Sequence, residues 1–234
     1  MSTHQKTPQQ AQTELEAEAS RLAPPDAVGG DGSEWLNVEK ELAFYASYHS
    51  NKLNVAIHFC CIPLILWSWL IILSHVAVPS FKAVTPLAPG LAVQPTLALA
   101  WIIVYEAYYI MLEPFGGITY LPTAMVMYLT ATYLATSPPE WLPFSSASHP
   151  SCWGFAWGVF LFSWIAQFIG HGLFEKRAPA LTENLTQALV LAPFFVHLEF
   201  LFAAFDYKHD LHQKIKSGAG KRIKQMNQAA KLKL

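Results

Sequence analysis

The chain has 234 residues, 53% of them apolar and 14% aromatic, with only 13% charged and a formal net charge of -1. Soluble domains carry about 25% charged residues, so these values argue against an ordinary cytosolic enzyme or a nucleic-acid binder and exclude disorder over most of the length. The small net charge averages unlike parts, since residues 1–41 hold eight acids against three bases, residues 208–234 eight bases against Asp210 alone, and the middle only eleven charges, the pattern of a membrane domain between two polar ends.

Residues 1–33, rich in Gln, Ala, Glu and Pro, read as a flexible acidic tail. No basic start followed by an apolar core occurs there, so a cleaved signal peptide is not expected and the first span serves for insertion. Asp31 and Glu34 form a capping-box pattern for a helix from about Glu34 to His49, amphipathic through Trp35, Val38, Leu42, Tyr45 and Tyr48. Ser50-Asn51 offers a turn. The run Val55–Val78 is long enough for a bilayer span, with Pro63 tolerated as a kink. After a loop at 79–95, a second span covers Leu97–Leu112, Pro114-Phe115-Gly116-Gly117 breaks it, and a third covers Ile118–Leu134 around Pro122. A Pro- and Ser-rich loop at 137–152 precedes a fourth span, Trp153–Leu173, with Trp153 and Trp157 as interfacial anchors. A fifth apolar segment, Thr186–Phe205, carries Pro193, His197 and Glu199, and the basic tail after Tyr207 is helical only in part. Cys60, Cys61 and Cys152 have no disulfide or zinc spacing and read as reduced packing residues.

The expected fold is therefore all-α: a polytopic membrane bundle of four transmembrane helices, a fifth re-entrant or spanning segment and an N-terminal amphipathic helix. Residues 34–207 form the membrane domain and 208–234 a basic cytosolic tail. Four spans return the end of the fourth to the face where the first began, which gathers His49 and His58 with His171 and Glu175. Lys40, Lys52, Lys176 and Arg177 flank this face, whereas only Lys82 falls in the opposing loops, so the face is expected to be cytosolic. A basic tail on the same side requires that the fifth segment not cross, a role suited to Pro193 and two ionisable residues.

Ionisable side chains inside membrane helices are expensive, so each needs a partner or a task. Asn54 and His58 are four apart and share a helical face, as do His171 and Glu175. One continuous helix would turn His49 about 180° from His58, since nine steps of 100° leave half a turn, so the break at Ser50-Asn51 is needed for the imidazoles to converge. Gly170 and Gly172 leave space beside His171, and His197 and Glu199 approach from the fifth segment. Several imidazoles with a carboxylate suit iron or zinc, and open positions on such a site are the chemistry of non-haem Fe(II) oxygenases. A hydrogen-bonded network that ties the helices together, haem ligation by two histidines, a non-catalytic scaffold or transporter, and a zinc-dependent lipid hydrolase also fit this spacing. Glu106 and Glu113 on the second span are candidates for a substrate contact or for pairing with tyrosines. No Gly-rich phosphate loop, GxSxG elbow or HExxH motif is present.

The stretches from Tyr45 through His49, Asn54 and His58 to Pro63, from Gln167 through His171 and Glu175 to Leu181, and Ala192-Pro193-Phe194-Phe195-Val196 resemble the fungal 2-hydroxy fatty acid dioxygenases. The resemblance covers roughly residues 35–208. It implies a multi-pass enzyme of the endoplasmic-reticulum membrane that uses Fe(II) and O₂ to shorten a 2-hydroxy fatty acid by one carbon, releasing CO₂, in phytosphingosine breakdown. The positions that match iron ligands are His49, His58 and His171. Glu175 joins them as a carboxylate ligand on geometry, with His197 a less well matched position, and Asn54, Glu106 and Glu199 stand as substrate contacts.

Overall fold

The computed structural model describes residues 36–78, 83–175, 179 and 185–232. Asp31, Glu34, Trp35, Lys82, Lys176 and Arg177 lie outside the described residues. The chain divides into two compact units, Met1–Tyr48 with Lys208–Leu234, and His49–Tyr207. The N-terminal helix thus groups with the basic tail.

In the first unit, α1 (Val38–Ser47) is capped by Asn37, whose side chain accepts from the Lys40 amide at 3.1 Å. It packs against a helix over His209–Leu232, longer than the partial helix expected for the basic tail. Gly218 of that helix lets the two backbones approach, because a Cβ there would lie 2.9 Å from the Ala43 methyl. Arg222 is buried with its guanidinium 4.6 Å from the Phe44 ring centroid, a cation–π contact.

The second unit opens with α2 (Lys52–Ser74), whose N-cap Asn51 accepts from Leu53 N at 2.9 Å. Within the segment expected as a loop, Thr85–Ala88 (β1) and Leu91–Val93 (β2) pair antiparallel around Gly90, whose φ of +79° suits glycine. Pro86 and Pro95 hide the short hairpin in the sequence, because proline argues against strands. Buried Tyr128 fixes it by donating its hydroxyl to Gln94 O at 2.5 Å.

α3 (Leu97–Leu112) and α4 (Pro114–Thr136) are separated by Glu113 alone. Glu113 caps α4 by accepting from Gly116 N at 2.5 Å, and Pro114 takes the first helical position, where no amide hydrogen is needed. Pro114-Phe115-Gly116-Gly117 consequently starts a helix, where the sequence suggested a longer break. The small residues serve packing, since a Cβ on Gly117 would strike the Ile110 backbone nitrogen at 2.5 Å.

α5 (Trp153–Gly170) packs along α2, with Trp67 against Phe155 and Trp69 against Phe160. α6 (Leu185–Phe205) follows, and the basic helix is α7. Near one end of α6 the Tyr109 hydroxyl donates to Val190 O at 2.7 Å, and just past the other the Tyr207 hydroxyl donates to Glu113 Oε1 at 2.9 Å. Among the described residues, two helices are long and apolar enough to cross a membrane, α2 and the continuous run Trp153–Glu175, while α3 and Leu189–Phe205 are shorter apolar helices. The outer side of α5 presents Leu161, Phe162, Ile165, Phe168 and Ile169 to the surroundings.

Candidate metal centre

Three imidazoles meet within the second unit. α1 ends at Ser47, and Asn51 has extended backbone, so His49 and Ser50 lie on a non-helical link and His58 sits on the second turn of α2. This break removes the half-turn separation that one helix would impose. The third ring comes from the far end of α5, where the helix widens into a π turn, His171–Glu175. Such single π turns recur at functional sites.

The ring centroids of His49 and His58 are 4.3 Å apart, those of His58 and His171 4.8 Å, and those of His49 and His171 5.0 Å. One nitrogen from each ring falls within 4.8 Å of the others, and all three residues are buried. The Phe195 ring of α6 covers the group on the His49 side, at 6.3 Å.

Their hydrogen bonding suits ligation. His58 Nδ1 lies 2.9 Å from Asn54 O, a carbonyl that can only accept, which assigns the proton to Nδ1 and leaves the Nε2 lone pair free. His171 Nδ1 is buried without a hydrogen-bond partner among the described residues. Buried polar atoms are seldom left so, and a metal ion would satisfy it. Nitrogen ligands at about 2.1 Å from a transition ion need the rings to close by roughly an ångström, within reach of small side-chain rotations.

Glu175 takes a different place from that expected of a ligand. It lies outside the three-ring group, and its carboxylate accepts from Asn51 N at 2.7 Å, Ser50 Oγ at 2.9 Å and Asn54 Nδ2 at 3.3 Å. Ser50 and the Asn51 amide carry no sequence signal for this role beyond their place in the turn. His197 is also apart from the group: its Nε2 lies 2.9 Å from Thr119 Oγ1 and its ring stands edge-on to Tyr120. Glu106 is buried on α3, both its oxygens lacking a partner among the described residues, and Glu199 is half-buried on α6.

Apolar, outward-facing helices around three buried imidazoles define a helical protein whose centre could hold a metal ion. A family model described as 2-hydroxy-palmitic acid dioxygenase Mpo1-like matches residues 35–204. The 2-hydroxy-palmitic acid dioxygenase MPO1 of Saccharomyces cerevisiae is 33% identical over 174 residues, covering 73% of this chain and 83% of the yeast protein. The chain belongs to the Mpo1-like family. No solved structure matches it.

Proposed function

We propose that this protein is a membrane-embedded Fe(II)-dependent dioxygenase that removes one carbon from 2-hydroxy fatty acids in phytosphingosine breakdown. The observation that carries the reading is the convergence of His49, His58 and His171 in a member of a family named for oxidation of 2-hydroxy-palmitic acid. His49, His58 and His171 would hold the iron without a carboxylate among them, which leaves room beside it for an α-hydroxy acid to approach through its hydroxyl and one carboxylate oxygen. The overall change balances with no further reductant: a 2-hydroxy acid and O₂ give the acid one carbon shorter, CO₂ and water.

Bound by the three histidines, ferrous iron supplies the redox chemistry by which O₂ oxidises the hydroxyl-bearing carbon. The chain supplies the rest. The Asn54 carbonyl holds His58 in the tautomer that offers Nε2. Phe195 and the inner side of α2 exclude water from one side of the rings. Exposed Phe168, Ile169 and Leu173, within three residues of His171, give an acyl chain an apolar approach.

In this reading α2 to α5 cross the endoplasmic-reticulum membrane, with the histidines near the cytosolic face. α6 stays on that side. Its contacts at Val190 and Tyr207 both reach within one helical turn at the end of α3, an arrangement unlike that of a helix whose ends lie about 30 Å apart across a bilayer. Anaerobic reconstitution of the purified protein with Fe(II), followed by O₂ and 2-hydroxypalmitate, should consume O₂ and yield pentadecanoate and CO₂. Iron-loaded protein that leaves the substrate intact would overturn the assignment.

A further inference from the structure

Glu175 holds three donors, and all three belong to one short segment. Ser50, Asn51 and Asn54 lie between His49 and His58, whereas Glu175 follows His171 by one π turn. The carboxylate therefore joins the chain segment that carries two of the imidazoles to the turn that carries the third. It is buried, and it faces the N-terminus of α2, where the helix dipole favours negative charge. A carboxylate offers about four lone-pair directions, and three are taken by these donors. Gly170 belongs to the same arrangement: a Cβ there would overlap Asn54 Oδ1, so only glycine lets the Asn54 amide lie against α5 and reach Glu175.

From this geometry we infer that Glu175 is a positioning residue and not a metal ligand, a latch that sets the spacing of the three histidines by clamping Ser50, Asn51 and Asn54 to the π turn. The clamp itself requires no metal. Its consequence for metal affinity rests on the metal reading above, and loss of a group that orients ligands costs roughly 10–100-fold in affinity.

The test uses the full chain in detergent, with Glu175→Gln as the main variant and Ser50→Ala as a milder one that removes a single donor. Amide hydrogen exchange in the metal-free protein is read over residues 50–54, and cobalt(II) is titrated as the spectroscopic probe. Glu175→Gln should speed exchange over 50–54 and weaken cobalt binding by roughly 10–100-fold, while the visible spectrum at saturating cobalt keeps the wild-type form. Ser50→Ala should move both in the same direction by less. Unchanged exchange in both variants would overturn the latch. A saturated Glu175→Gln spectrum that differs from wild type, with an oxygen ligand lost by X-ray absorption, would overturn it too, by making Glu175 a ligand. If wild-type protein takes up no cobalt, the metal reading fails and the exchange measurement still decides the clamp.

Discussion

The imidazoles of His49 and His58 stand 4.3 Å apart although they are nine positions apart, because His49 lies on the non-helical link after α1 and His58 lies within α2. Asn51 makes that break by capping α2 at Leu53 N. Asn51→Ala should cost about 1 kcal/mol of stability and weaken metal binding, since the backbone at 49–51 is then free to extend the helix. Denaturation midpoints and metal titration of the same preparation separate the two effects.

His171→Ala should remove bound iron and dioxygenase activity together while leaving helical content unchanged. The buried Nδ1 of His171 makes no hydrogen bond among the described residues, so no structural bond there is lost with the ring. Elemental analysis beside circular dichroism tests this, and full metal content in the variant would refute the ligand assignment.

Treatment with a strong chelator should stop O₂ uptake, and Fe(II) should restore it where zinc does not. An oxygen electrode reads the result directly. Recovery with zinc would favour hydrolytic chemistry, because zinc has no redox step to offer.

Gly117→Ala should destabilise the second unit by about 1–3 kcal/mol. The added methyl meets backbone atoms of Ile110, which cannot swing aside as a side chain would. Gly158→Ala is the matched control: a Cβ there has nothing within 4 Å, and alanine favours the helix. Thermal unfolding in one detergent should rank the two variants on opposite sides of wild type.

Cys152 should resist maleimide at pH 8 in the folded protein. Burial pushes its thiol up to about 11, and its sulfur lies 3.6 Å from His75 Nε2 at the N-terminus of α5. Below that value the unreactive thiol dominates, so labelling should appear at pH 8 only after unfolding. Mass spectrometry of the labelled peptides distinguishes Cys152 from Cys60 and Cys61.

Tags at the two termini should lie on the same side of sealed vesicles if α6 does not cross. Protease access from outside reads both at once, and opposite accessibility would mean that α6 spans.

Much of the helical plan is legible along the chain, because long apolar runs and Gly or Pro punctuation are local signals. Leu97–Leu112 is found with the bounds its apolar run suggests. The start of α4 at Pro114, the hairpin over 85–93 and the length of α7 differ from the sequence reading, since each depends on contacts made after the chain folds back.

The sequence by itself determined that this is an apolar helical chain with two polar ends, and that His49, His58 and His171 are the residues to watch. Helical periodicity, the counting of spans and the cost of burying ionisable groups bring these three forward together with Glu175 and His197, and the family resemblance narrows the set to three. Only the tertiary structure decided that the three rings share one space, that Glu175 turns toward the start of α2, and that His197 pairs with Thr119. Counting spans puts residues more than a hundred positions apart on one face but gives no distance between them. Packing between α2 and α5 supplied the distance and direction that determine which polar groups meet.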